Sequence, residues 1–124
     1  MSRYAVSGSN SAAIAPATAS TLRNVLGKDI TSGRVFWLRN IWYGSSGTDG
    51  DLLLYDVSAG DNATNGTKKA VLPSFLAAIH SGIARPGYFE WGSPGVKFAT
   101  GCCVMLAVSG SMGIGTLGGA GYEE

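Results

Sequence analysis

Charge is scarce in this 124-residue chain. Nine Lys+Arg and eight Asp+Glu make up 14% of it and leave a formal net charge of +1, where an average globular chain is about 25% charged. Without a basic excess there is no field to hold a polyanion, so nucleic acid is not an expected partner. Histidine is limited to His80 and cysteine to the adjacent pair Cys102-Cys103. Neighbours on an extended strand point to opposite faces, and a bond between them is strained. Two packed thiols are therefore expected, not a disulfide, metal or redox site. Long apolar runs are missing as well. The longest, Cys102 to Val108, is seven residues, against about 20 for a membrane helix. Residues 1–20 hold no apolar stretch of signal-peptide length, which gives the expectation of a protein made in a cytoplasm with no membrane partner.

What is present is apolar and glycine-rich: 45% hydrophobic residues, 19 glycines and a mean hydropathy of +0.17. That composition excludes wholesale disorder. After a Ser/Ala/Gly-rich start, short β-prone runs alternate with turn clusters. They are Ser20–Gly27, Arg34–Tyr43, Asp51–Val57, Thr67–Leu72, Tyr88–Trp91, Gly95–Thr100 and Cys102–Val108. Arg34–Tyr43 (RVFWLRNIWY) is the strongest, dense in β-branched and aromatic residues. The polar loop 44–50 after it predicts a hairpin, with Asp51–Val57 returning beside it. Pro73–Ile79 reads as one or two helical turns. The pattern predicts an all-β protein, a β-sandwich or jelly-roll-like fold of about seven to eight short strands. Residues 1–19 are expected to be an extended or flexible N-terminal arm and 20–124 a single domain.

The motifs that catch the eye fail on context. Gly113-Ile-Gly115-Thr-Leu-Gly118 matches the dinucleotide fingerprint, but only six residues follow it, too few for a helix and a distant acidic residue. His80 has no second histidine and no nucleophile elbow around it. In Asp61–Gly66 the third calcium-loop position is Ala63 and the twelfth would be Leu72. No catalytic residue, metal or other cofactor is expected. The aromatic residues Phe36, Trp37, Trp42, Tyr43, Tyr88, Phe89 and Trp91 are read mainly as core and interface. A sugar-stacking platform is the alternative.

Two strands break the apolar-in, polar-out rule. Arg34–Tyr43 and Cys102–Val108 are apolar on both faces, so each needs cover on its second face. The 72–84 segment, the N-terminal arm or another subunit are the candidates, and an oligomer is expected.

The segment Gly95–Leu106, GVKFATGCCVML, resembles a late segment of small tailed-phage proteins of the form G-[IV]-[RK]-F-[AT]-T-G-x-x-V. Here it is carried by Gly95, Val96, Lys97, Phe98, Ala99, Thr100, Gly101 and Val104. The upstream order is similar too, with a small-residue arm, a strand near 34–43 and the compact LLLYD run, Leu52 to Asp56. The resemblance is to capsid decoration or cement proteins with β-sandwich or jelly-roll bodies. It implies a structural virion protein on the capsid surface, with the major capsid protein as partner and a trimer as the homo-oligomer. Tyr4, Val6, Ile14, Phe36, Trp37, Trp42, Tyr43 and Met105 are then the candidate interface residues. A tail, connector or head-fibre component and a small carbohydrate-binding β-sandwich are the alternatives.

Overall fold

The computed structural model describes residues 3–9, 22–47, 52–58, 61, 65–72, 85–106 and 112–124. Among these are nine strands: β1 (Tyr4–Ser9), β2 (Arg23–Asn24), β3 (Phe36–Gly47), β4 (Leu52–Asp56), β5 (Thr67–Leu72), β6 (Arg85–Glu90), β7 (Val96–Phe98), β8 (Cys102–Leu106) and β9 (Met112–Glu123). They form two antiparallel sheets. The first runs β1-β9-β3-β6, with β7 also on β3, and the second runs β2-β8-β4-β5. The expected all-β, sandwich-like character is thus observed. Tyr4–Ser9, inside the expected arm, is an edge strand laid along β9. His80, Ile14 and the 73–79 turn lie outside the described residues.

The expected hairpin between 34–43 and 51–57 does not form. β3 and β4 sit in different sheets. Their apolar residues meet across the core instead of along a shared edge. Phe36, Leu38, Ile41, Phe98 and Leu117 of the first sheet and Leu52, Leu54, Leu72, Cys102 and Val104 of the second are all buried in one cluster. Val25, Leu26 and Ile30 join them from the turn after β2. That turn explains why Ser20–Gly27 yields only a two-residue strand. Asn24 is buried, its Oδ1 accepts the Leu26 N–H at 2.9 Å, and the chain reverses before Gly27.

The two-faced character of β3 has a local cause. The register with β9 slips between Leu38 and Asn40, so Arg39 is a bulge and the side-chain parity changes there. Phe36, Leu38 and Ile41 all point into the core, while Trp37 and Trp42 share the outer face half-buried. Arg39 is held by Trp91, whose N–H donates to its carbonyl at 2.8 Å and whose carbonyl accepts from its Nε at 3.2 Å. β8 is genuinely covered on both faces. Cys102 and Val104 face the main core, and Cys103 and Met105 form a second buried cluster with Leu22 and Val57. This burial exists within one chain. The glycine-rich β9 runs between β1 and β3, and Gly113–Gly118, the dinucleotide look-alike, is simply part of that strand.

Candidate functional site

The segment Gly95–Gly101 is a structural corner. The Asp56 carboxylate, at the end of β4, accepts three successive backbone N–H groups. Oδ2 takes Ala99 at 3.0 Å, and Oδ1 takes Thr100 at 2.8 Å and Gly101 at 3.2 Å. The loop joining β7 to β8 is thereby clamped to the second sheet. Phe98 is fully buried opposite Phe36. Gly95 has φ +102°, and a Cβ there would strike the Leu38 carbonyl, so only glycine serves. The spacing from Gly95 to Gly101, with an acidic residue ending LLLYD, is therefore a packing requirement. It ties Leu52–Asp56 to Gly95–Gly101 through one carboxylate.

The thiols beside this corner are inert. Cys103 donates its S–H to the Val57 carbonyl at 3.1 Å. Burial pushes the Cys103 thiol up to about 12, with Asp29, Asp56 and Asp61 adding to the rise. Burial likewise pushes Cys102 well above the ordinary thiol range, helped by Cys103 and Asp56. Unfolded thiols titrate near about 8.5. From there up to about 12 the folded chain keeps protons the unfolded chain has released. Stability from Cys103 is thus complete below that window and falls as pH rises through it, by about 1.4 kcal/mol per pH unit, and Cys102 acts in the same direction. Urea midpoints at about pH 7.5 and about pH 10 should show a larger drop in the native chain than in a Cys102→Ala/Cys103→Ala variant. An equal drop in both would refute this account.

The surface that stands out is the outer face of the first sheet. Strand register places Ala5, Tyr122, Trp37 and Lys97 in one row, and Ser9, Gly118, Trp42 and Tyr88 in another. Asn40 and Glu90 pair between them. The Trp42 indole lies across Gly118, where an added Cβ would come within 2.5 Å of Nε1, 2.6 Å of Cε2 and 2.7 Å of Cζ2. Glycine there lets the indole lie flat on the sheet. Tyr88 is 60% exposed, and its hydroxyl accepts the Asn40 Nδ2–H at 2.8 Å. At the other end, Lys97 Nζ stands 5.9 Å from the Trp37 ring centroid, and the Arg3 guanidinium 4.7 Å from that of Tyr122. The Tyr122 hydroxyl donates to the Pro94 carbonyl at 3.3 Å. Trp37 Nε1 is buried with no hydrogen-bond partner among the described residues.

Of the eight candidate interface residues, this face unites Trp37 and Trp42. Phe36 and Met105 are corrected to interior residues, at 0% and 5% exposure. Strict alternation along β3 and β8 misassigns them, because the Arg39 bulge turns Phe36 inward with Ile41 and β8 is covered on both sides. Val6 packs against the core. Tyr4 is exposed at the sheet edge, with Arg34 4.1 Å above its ring. The Tyr43 side chain and Ile14 lie outside what is described. Tyr122, Asn40 and Lys97 are not among the interface candidates that the sequence offers. Their signal, cross-strand pairing with Trp37 and Tyr88, exists only once register is known. Among the described residues no three of His, Cys, Asp and Glu gather as a metal site.

Fold and site together define a β-sandwich-like protein with one aromatic sheet face. No family model matches the chain, and no curated protein or solved structure does either.

Proposed function

We propose that the chain is a structural protein of a tailed-phage virion. In this reading it decorates and stabilises the capsid exterior, binding the major capsid protein at capsomer junctions as an oligomer. The observation that carries the reading is the outer face of the first sheet. It presents Trp37, Trp42, Tyr88 and Tyr122 on rigid, paired strands, with small residues beside them. Rigid aromatics held with little rotamer freedom make efficient anchors for a flat partner surface. The likeness of Gly95–Leu106 and Leu52–Asp56 to decoration proteins supports the virion assignment. A near-neutral chain of net charge +1 also suits burial between neutral surfaces.

Purified protein mixed with undecorated heads should bind them and raise their resistance to heat and low salt. A Trp42→Ala/Tyr88→Ala variant should keep the fold and bind at least about tenfold more weakly, as loss of two anchors implies. Native-like binding by that folded variant would remove this face from the interface, and no binding by the native chain would reject decoration. Immunogold label along the tail or at one vertex alone would select the tail, connector or head-fibre reading instead.

A second reading, a carbohydrate-binding module, draws on the flat Trp42 indole beside the Asn40–Tyr88 hydrogen bond. Such a surface suits stacking of a sugar ring with polar groups at its rim. Saturable quenching of tryptophan fluorescence by a glycan, lost in Trp42→Ala, would favour it.

A further inference from the structure

Among the described residues the two sheets present four edges, and these are not alike. On β5 the edge carries Lys68 and Lys69, both exposed. On the far side of β3, β6 contains Arg85, Pro86 and Glu90, and β7 is three residues long with Lys97 at its centre. β2 is only two residues. Lysine, proline and shortness are the usual ways in which an edge is made unfit for a further strand. β1 has none of them. Its six residues, Tyr4-Ala-Val-Ser-Gly-Ser9, hold no charge and no proline. Among the described residues only β9 pairs with it. The flanking Arg3 is already engaged by Glu124 at 3.3 Å and by the Tyr122 ring.

We infer that β1 is an assembly edge and that its occupant is β1 of a second copy of this chain, paired antiparallel about a two-fold axis. The other three edges carry blocks, so joining β1 to any of them in a head-to-tail ring is disfavoured. Self-pairing leaves no block in the seam. Residues opposite one another in an antiparallel pair share a face, so the axis crosses the seam midway between two copies of one residue and not between successive residue pairs. Centring it on Ser7 pairs Ala5 with Ser9 of the second copy and Val6 with its Gly8. The exposed side chains in the seam are then small and uncharged, and a strand can approach to about 4.8 Å. The two aromatic faces become one continuous surface on the same side of a joined sheet. A six-residue edge spans about 20 Å and buries less than the roughly 1,200 Å² of a stable interface. The dimer is therefore weak and concentration-dependent in solution. Linking two shell-binding faces would still raise avidity on a particle.

This inference goes beyond the virion reading and does not depend on it, because its test uses no particle. Sedimentation equilibrium of the full chain, up to the highest soluble concentration, should show a monomer–dimer exchange. Ser7→Lys and Ser7→Glu each place like charges opposite one another and should raise the dimer dissociation constant by about fivefold or more. Ser7 is exposed on the outer face, so both variants should unfold at the native temperature. An equimolar mixture of the two should recover dimerisation as a heterodimer. A native chain that stays monomeric would overturn the proposal, as would a dimer indifferent to both substitutions or a mixture with no recovery. If one variant fails to fold, the other still gives the comparison with the native chain.

Discussion

Replacing Asp56 with alanine should lower the unfolding free energy by about 3 kcal/mol, and Asp56→Asn by about half that. The carboxylate is the shared acceptor for the amides of Ala99, Thr100 and Gly101. Hydrogen bonds to a charged acceptor contribute roughly 1.5–3 kcal/mol each, and exposure of two of the three reduces the sum. Alanine leaves three donors to find water in a corner where Gly101 already presses against the Val57 backbone. Asparagine keeps one acceptor oxygen and loses the charge. Urea titration measures the effect as a lower midpoint with an unchanged slope. A shift below about 0.5 kcal/mol would mean that β7 and β8 are placed by packing alone and that the carboxylate is incidental.

Phe98→Ala should cost about 4 kcal/mol, in the range for deleting a fully buried aromatic ring. Phe98 has no exposure and sits directly opposite Phe36, also unexposed. Removing one ring opens a cavity beside the other, and both sheets border it. Domains of this size are stable by about 5–15 kcal/mol, so this variant is expected to melt far below the native chain or to be partly unfolded at 37 °C. Trp42→Ala, in the same sheet but facing outward, should cost far less. A Trp42→Ala loss equal to that of Phe98→Ala would contradict the assignment of the two faces. Differential scanning calorimetry of both variants reads this directly.

The two variants separate what was legible from what was not. The identity of the second-sheet strands was readable: Leu52–Asp56, Thr67–Leu72 and Cys102–Leu106 lie inside the runs that β-propensity and turn residues marked. Which side of a strand faces inward was not readable for β3. One extra residue at Arg39 reverses the parity of everything beyond it. Alternation counted from Arg34 therefore puts Phe36 and Ile41 on opposite faces, whereas both are in the core. A bulge has no sequence signature of its own here, since Arg39 owes its place to Trp91, 52 positions along the chain.

The candidate site was half legible for the same reason. Trp37 and Trp42 are conspicuous in any reading of RVFWLRNIWY. Tyr88 belongs with them by residue type, but its place beside Trp42, and that of Tyr122 beside Trp37, come only from the β3–β6 and β3–β9 pairings, which connect residues far apart in sequence. Loop-closure entropy must be met before such contacts form, so local propensity carries no information about them. The hairpin expected between β3 and β4 failed on this point. Gly44–Gly47, read as the start of a polar loop, instead extend β3 along β9, and the chain crosses to the opposite sheet before β4. The crossing prevails because it buries Leu38 and Ile41 against Leu52 and Leu54.

The sequence by itself determined the all-β class, through enough β-prone apolar runs, set between turn residues, for a two-sheet body. Those are properties of composition and of neighbours a few residues apart. Tertiary structure alone decided that the scarce charges are spent on structure, with Asp56 holding the β7–β8 corner and Arg39 the bulge. It also decided that β1 and β9 lie side by side, which makes the uncharged, proline-free β1 a sheet edge among the described residues. The physical reason is that sheet register and edge position follow from which distant strands pair, and a hydrogen-bonded ladder is specified by the whole core rather than by either strand in it.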